Sequence, residues 1–481
     1  MAMRTAQQYL KGLRDGREVY YRGERVEDVT QHAELKVAAR HASIDFQLAE
    51  DPQHRKIAVH SDGSEEYSAY YRVPRHSQDL LDRTKLIELG TELGATLVIL
   101  IKEIGTDALF ALKRILARKH DNQGIGRLEA FYLNCREKDL ALAVAQTDVK
   151  GDRSKRPSEQ QDPDVYVRVV EERRGGIVVR GAKAHTSCTP YVDEVIVLPS
   201  RSMVAGDESW SVAFAVPAAT PGLRMYTSDF LHGANEPFTH PISTEHKMVE
   251  TLTVFDNVFV PWERVFFHGR PDLAGAAALT FVEFHRYTAV SYKLPLLDAL
   301  VGLGITIAQA NGVEKAGHVR DKLTWLGGYA ETVRGLAQLA ALRCDVEHGV
   351  AFPDVFTTNL AKWTFAREFH RAIEIVQDLA GGLLVTGPGM TDWESPKIRP
   401  ILEKYFRGAW PAERRLHLLN VISEITSRAY GGYQAVLAIH AEGSIEAEKM
   451  AMLRAYDSTR AVSLALRLAG LDALVEQAVA D

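Results

Sequence analysis

From about Thr5 to Cys135 the apolar residues recur at helical spacing, as Leu86, Leu89, Leu93 and Leu97 do, and Leu109, Leu112 and Leu116. The spacing predicts a first unit, residues 1–140, built of helices. Asp148 to Pro163 is polar and broken by Gly151, Pro157 and Pro163, which predicts an ordered loop or linker. The period then becomes that of strands. Val165–Val170, Ile177–Arg180, Val195–Leu198, Val212–Val216 and Leu252–Phe255 are short β-branched runs separated by Gly, Pro and Asp. They predict a β-barrel or sandwich over residues 164–267, within a middle unit of residues 141–270, and Gly175-Gly176 is placed to turn a hairpin. After Pro271 the strand signal ends. Helical patterns run from about Leu279 onward, interrupted at Gly312, Gly327-Gly328 and Gly381 to Pro396, and give a third unit, residues 271–481, that reads as a helical bundle.

Composition narrows the function classes. The 481 residues carry 57 basic and 63 acidic side chains, so a net charge of −6 offers no overall attraction to nucleic acid. Three cysteines, Cys135, Cys188 and Cys344, are too few and too far apart for a disulfide framework or a paired-cysteine metal knuckle. The first residues have scattered charges and no apolar core, and the longest wholly apolar run near them is Leu97 to Ile101. Neither secretion nor a membrane association is expected, and the cytoplasm is the expected location.

Glycine-rich phosphate loops of the GxGxxG and GxxxxGK[ST] types are absent, as is HExxH, and the histidines are dispersed, so no metal site is expected. Two polar clusters stand out. Gly181-Ala-Lys-Ala-His-Thr-Ser-Cys188 gathers a cation, an imidazole and two hydroxyls, groups that donate to flavin carbonyls or a pyrophosphate, or that simply form a strand-to-turn segment. Lys150-Gly151-Asp152-Arg153 suits a phosphate clamp or a solvated turn. His285-Arg286 sits in an apolar stretch with Glu283 and Lys293 nearby, as a hydrogen-bonded core histidine or as a tunable acid–base group.

Phe255-Asp-Asn-Val-Phe-Val-Pro-Trp-Glu-Arg-Val-Phe266 resembles the strand-end signature of the 4-hydroxyphenylacetate 3-hydroxylase family. Pro241-Ile-Ser-Thr, Gly181-Ala-Lys and Asp378-Leu-Ala-Gly-Gly-Leu match the same family, and the resemblance spans nearly the whole chain. It implies a mainly α protein with a central β domain, similar to the acyl-CoA dehydrogenases: N-terminal helices, a middle β-barrel and a C-terminal bundle. It further implies FAD, used as FADH2 in turnover and supplied by a separate flavin reductase, and a homotetramer. Carried over residue by residue, the flavin would be lined by Lys150, Gly151, Asp152, Arg153, His185, Thr186 and Ser187, with Tyr430, Gly431 and Gly432 of Tyr-Gly-Gly-Tyr433.

The family has two branches. Gln146-Thr-Asp-Val-Lys-Gly-Asp-Arg, Val179-Arg-Gly-Ala-Lys-Ala-His, Gly312-Val-Glu-Lys-Ala and Gly443-Ser-Ile-Glu-Ala resemble the 4-hydroxybutyryl-CoA dehydratases, whose histidine at the position of His285 ligates an iron–sulfur cluster. The cysteine of that branch seven residues on is here Tyr292, and the cysteines before Gly105-Thr-Asp-Ala are missing, so no iron–sulfur cluster is expected. The phenol-handling arginine, tyrosine and histidine of the monooxygenase branch fall on Ile104, Ala108 and near Val144. The leading expectation is a two-component monooxygenase that uses reduced FAD and O2 to hydroxylate a phenolic or other small aromatic substrate. The alternatives are a cluster-free, FAD-dependent dehydratase or isomerase acting on an acyl-CoA-type substrate, and a flavin-binding paralogue without catalysis. His285 and Tyr292 are expected to form a hydrogen-bonded catalytic pair, with Arg286, Glu250 and Lys293 beside them.

Overall fold

The computed structural model describes residues 3–63, 65–229 and 236–471, so the extremes of the first and last units, 1–2 and 472–481, lie outside the described residues. The N-terminal helices are α1 (Ala6–Gly12), α2 (Leu35–Ala42), α3 (Ile44–Glu50), α4 (Arg55–Ala58), α5 (Ser77–Leu93), α6 (Glu103–Arg118) and α7 (Asn122–Glu137). A capping box starts α1: Gln8 N donates to Thr5 Oγ1 at 3.1 Å, and Thr5 N donates to Gln8 Oε1 at 2.9 Å. The predicted stripe Leu109, Leu112 and Leu116 is the buried face of α6.

The first unit is not helical throughout. Strands β1 (Glu18–Tyr21) and β2 (Glu24–Val26) form a tight hairpin, and β3 (Val59–Asp62) pairs with β4 (Glu65–Ser68). The remaining strands are β5 (Leu142–Ala145), β6 (Arg168–Arg173), β7 (Gly176–Ser187), β8 (Glu194–Val197), β9 (Val212–Pro217), β10 (Leu223–Thr227), β11 (Glu250–Pro261) and β12 (Val265–His268). They form two sheets, ordered β2-β1-β10-β11-β7-β6 and β12-β9-β8-β5. The expected barrel is therefore corrected to two open sheets packed face to face: each keeps its own edge strands, and across the gap Phe214 of β9 meets Phe255 of β11 edge-on at 5.8 Å. The hairpin at Gly175-Gly176 joins β6 to β7 as the sequence predicts.

Strands β7 and β11 reach furthest toward the helices. Their pairing carries a register shift between Phe255 and Val258, inside the Phe-Asp-Asn-Val signature, where Asn257 adopts φ +54. Gly181 lies opposite Phe255 at φ +133, and a Cβ there would stand 2.5 Å from the Tyr166 carbonyl oxygen, so only glycine admits this approach.

The bundle comprises α8 (Pro271–Asn311), α9 (Gly317–Leu342), a hairpin of β13 (Asp345–Glu347) and β14 (Val350–Phe352), α10 (Val355–Ala380), α11 (Leu383–Thr386), α12 (Met390–Glu394), α13 (Arg399–Tyr405), α14 (Ala412–Thr426), α15 (Ala429–His440), α16 (Ile445–Ala455) and α17 (Thr459–Leu468). Pro271 occupies the first turn of α8, where its missing N–H leaves no helical bond unmade, and Gly312 ends the helix at φ +73. At 41 residues α8 is long and apolar enough to cross a bilayer, but it runs through the protein core, packed on α5, α6, α9 and α10. Full burial of Phe281, Phe284 and Leu297 there stabilises by about 1.5–3 kcal/mol per side chain.

Candidate active site

The end of β7, the start of β11 and α15 meet at Glu250, and a polar loop leaves from beside β7. Thr147 O accepts from Ala184 N at 3.0 Å, and Asp148 bridges to Lys183, so the Lys150–Arg153 loop leaves from beside the segment carrying His185 and Ser187. The Ser187 hydroxyl lies 2.9 Å from both carboxylate oxygens of Glu250, and the Tyr433 hydroxyl donates to the same carboxylate at 3.1 Å. Burial raises the Glu250 carboxyl above the usual carboxylate range, while His185 and the two hydroxyls pull the other way. Tyr433 belongs to α15, which also carries Tyr430, Gly431 and Gly432. The Tyr430 hydroxyl meets Thr96 Oγ1 at 3.2 Å and accepts from Gln434 Nε2 at 2.9 Å.

Within these stretches the side chains divide by role. His185 is exposed and Ser187 half-buried, whereas Thr186 points inward, with its hydroxyl 2.7 Å from Thr251 Oγ1 and 2.5 Å from Thr253 Oγ1. Lys183, the cation of the same segment, is also internal: it pairs with Asp148 at 2.6 Å and donates to the Gln146 and Leu198 carbonyls. Asp152 accepts from Ser154 N at 3.0 Å and shapes its own turn. Lys150 and Gly151 both take positive φ, +75 and +51. Arg153 is exposed, without an ion pair among the described residues. Beyond its own helical turn, no atom of the described residues lies within 4 Å of where a Cβ on Gly432 would stand, while at Gly431 the Ile425 carbonyl oxygen would be 2.4 Å away.

A second cluster lies on α8. The Tyr292 hydroxyl donates to Glu442, and Lys293 Nζ sits 3.0 Å from Glu442 Oε2 and 3.3 Å from the Tyr292 oxygen. Lys362 on α10 lies 3.9 Å from Glu442 and pairs closely with Glu448. Arg286 Nε holds the Glu442 carbonyl at 3.0 Å, and its NH1 donates to Asn359 Oδ1 at 2.6 Å. Burial penalises the Glu442 carboxylate, but Lys293 and Lys362 outweigh it and hold its pKa down at about 2. Burial pushes Lys293 down to about 8 despite Glu442. Tyr292 and Lys293 line a narrow cleft with room for about 20 Å³, whose walls include Leu97, Val98, Leu296 and Phe365, with Thr96 and Gln434 also facing it.

His285 and Tyr292 do not form the expected pair. His285 Nδ1 bonds Asp107 Oδ2 at 2.8 Å and Tyr292 bonds Glu442. Seven residues return a helix to nearly the same face but advance it by roughly 10 Å, beyond hydrogen-bond reach. The sequence reading also missed Asp107, Arg83, Lys362 and Glu442, and it named Tyr433 only as the end of the Tyr430-Gly-Gly-Tyr433 segment. Asp107 lies within Gly105-Thr-Asp-Ala, a stretch already singled out, and Glu442 directly precedes another, Gly443-Ser-Ile-Glu-Ala. Among the described residues no group of three or more His, Cys, Asp or Glu is arranged to hold a metal.

A helical unit, a two-sheet β unit and a helical bundle with a polar site between them define the acyl-CoA dehydrogenase-like architecture. The likeness to butyryl-CoA dehydrogenase from Megasphaera elsdenii is at the level of fold, with a TM-score of 0.50 and 15% identity over 95% of this chain and 99% of that one. Two family descriptions match in succession, 4-hydroxyphenylacetate 3-hydroxylase N terminal over residues 5–267 and C terminal over residues 274–470. The chain belongs to the 4-hydroxyphenylacetate 3-hydroxylase family. It is 30% identical over 438 residues to the 4-hydroxyphenylacetate 3-monooxygenase oxygenase component of Thermus thermophilus, covering 90% of each chain. It is 28% identical over 499 residues to the 4-hydroxybutyryl-CoA dehydratase/vinylacetyl-CoA-Δ-isomerase of Clostridium aminobutyricum, covering 97% of this chain and 99% of that one. A solved HpaB oxygenase component, complexed with FAD and 4-hydroxyphenylacetate, superposes with a TM-score of 0.90 at 27% identity over 97% of this chain and 99% of that one.

Proposed function

We propose that this protein is the oxygenase component of a two-component flavin monooxygenase: it binds FAD and hydroxylates a phenolic or other small aromatic substrate. The observation that carries this reading is the meeting of the end of β7 and the start of α15 at Glu250, with the 147–153 loop leaving from beside β7 and an apolar-walled cleft close by. The donor set suits the cofactor. Arg153 is an exposed planar cation, without an ion pair among the described residues, that suits a pyrophosphate; His185 and the backbone of Ser187 suit ring carbonyls, and Gly432 leaves space outside its own helical turn. Thr186 contributes through its backbone only, its hydroxyl being engaged inside the sheet.

When bound, reduced flavin from a separate reductase supplies two electrons to O2, so that one oxygen atom enters the ring and the other leaves as water. The chain's own residues bind, orient and enclose. Leu97, Val98, Leu296 and Phe365 would part to admit an aromatic ring, and their apolar surface would then keep water from it. His285, fixed by Asp107 at Nδ1, offers Nε2 as a proton acceptor, and Lys293, braced by Tyr292 and Glu442, orients a substrate oxygen. The exposed apolar Leu453 and Leu468, 79% and 81% accessible, support burial between copies in a homotetramer, which light scattering would test.

The experiment is incubation with FAD, a flavin reductase, a panel of phenols and 18O2. One labelled oxygen in the product supports the reading, and unlabelled product or none contradicts it. A second reading, an isomerase or dehydratase of acyl thioesters, is favoured by one observation: the buried carboxyl of Glu250, held between two hydroxyls with its proton affinity raised, suits proton abstraction and return. Exchange of substrate protons with D2O in an acyl-CoA, without O2, would support it.

A further inference from the structure

The exposed turn Lys150–Arg153 is shaped by residues that follow it in the chain. Lys150 and Gly151 take positive φ in succession, +75 and +51. Glycine visits that region freely, but a lysine has to be held there. The Gln160 amide makes two bonds to the backbone of one residue of the turn: Oε1 accepts from Asp152 N at 3.0 Å, and Nε2 donates to Asp152 O at 2.8 Å. The Tyr166 hydroxyl donates to Lys150 O at 3.2 Å. A Cβ on Gly151 would stand 2.5 Å from Gln160 Oε1 and 3.0 Å from Val165 Cγ1, so the glycine is what lets the amide lie against the turn.

The arm that carries Gln160 is itself anchored. Asp207, fully buried, accepts from Arg156 Nη2 at 2.6 Å, Ser158 Oγ at 2.7 Å and Val204 N at 3.2 Å, and Trp210 Nε1 donates to Pro163 O at 3.1 Å. Gln160 therefore ties an exposed turn to a fixed support. The turn keeps donors in reserve. Asp152 N is taken by Gln160, and the Asp152 carboxylate is occupied by the N–H and hydroxyl of Ser154 and faces Lys155 at 3.8 Å. The N–H groups of Gly151 and Arg153 have no partner among the described residues, and the Arg153 guanidinium has no ion pair among them. Backbone N–H groups in such a turn, beside an arginine fork, suit a phosphate-type anion.

We propose that Gln160 is a positioning residue for the cofactor: by fixing the Asp152 backbone to the anchored arm, it presents the Gly151 and Arg153 N–H groups and the Arg153 guanidinium to the FAD pyrophosphate. It acts through the turn rather than by contact with the cofactor. The inference rests on the reading that places FAD on this turn, and it adds the side chain that makes the turn a preformed receptor. A turn already fixed loses less conformational freedom on binding, so the effect falls on cofactor affinity.

The test is fluorescence titration of the apoprotein with FAD for the wild type, Gln160→Leu, Arg153→Ala and the double variant, with thermal unfolding of each apoprotein measured alongside. Gln160→Leu should weaken FAD binding about tenfold while the melting temperature stays at the wild-type value, since Gln160 is only half-buried and braces an exposed turn. Arg153→Ala should weaken binding by roughly tenfold or more. In the double variant the two effects should fall short of their product, because Gln160 acts largely through the group that Arg153→Ala removes. Wild-type FAD affinity in Gln160→Leu beside a weakened Arg153→Ala would overturn the inference alone, as would effects that multiply in full. A melting temperature that falls together with the affinity would reduce Gln160 to a structural role and overturn it too. Wild-type affinity in Arg153→Ala would instead move the cofactor off this turn, removing the reading beneath the inference and the inference with it.

Discussion

His285 Nδ1 lies 2.8 Å from Asp107 Oδ2, and the other oxygen of that carboxylate takes Arg83 at 2.7 Å. All three residues are buried, so a carboxylate flanked by a guanidinium fixes the imidazole proton on Nδ1 and leaves Nε2 as the acceptor. Asp107→Ala strands a buried cation and is expected to destabilise the fold by about 3–5 kcal/mol. Urea denaturation measures this, and a loss under about 1 kcal/mol would show that Arg83 finds another partner.

Because His285 and Tyr292 bond different partners, their variants should fail differently. His285→Gln should lower turnover by roughly 10²-fold by removing the acceptor, with FAD affinity unchanged. Tyr292→Phe should also lower turnover but raise the substrate KM, since the hydroxyl braces Glu442 and Lys293 at the cleft. Wild-type turnover in both variants would remove the catalytic assignment.

Lys293 gives a pH signature. Its folded-state pKa of about 8 lies below the ordinary lysine value, so its burial is unfavourable while both states are charged. The penalty is relieved as pH rises from about 8 toward 10.4, and stability is lost again as pH falls through about 8. The stability of wild type relative to Lys293→Met should therefore rise across that window by up to about 3 kcal/mol. Parallel pH curves in chemical denaturation would contradict it.

The fold was legible where the period was sustained. The small and apolar residues of α8 declare a buried helix, and the β-branched runs around Gly175-Gly176 declare β6 and β7. The β1–β2 hairpin was not read, although Arg22-Gly23 supplies the positive φ, +52 and +83, that a two-residue hairpin turn needs. Its strands are too short to show alternation. Adjacent site residues such as Tyr292 and Lys293 were visible in sequence. Lys362 and Glu442 reach them from 69 and 149 positions beyond Lys293, and only the packing of α10 and the turn after α15 on α8 brings them together.

Arg153→Ala should weaken FAD binding by about 1.5–3 kcal/mol if the guanidinium makes a charge-assisted bond to the cofactor. Thr186→Val, by contrast, should leave the affinity nearly unchanged while lowering stability, because that hydroxyl is bonded inside the sheet. Flavin titration separates the two outcomes, and the reverse order of effects would displace the cofactor from this groove.

A site that handles reduced FAD and O2 productively has a spectroscopic signature. Anaerobically reduced FAD and the protein, mixed with O2 in a stopped-flow spectrometer, should pass through an absorbing species distinct from reduced and oxidised flavin, and a phenolic substrate should be oxygenated as it decays. Reoxidation at the rate of free reduced FAD, with all the oxygen recovered as hydrogen peroxide, would rule out a monooxygenase.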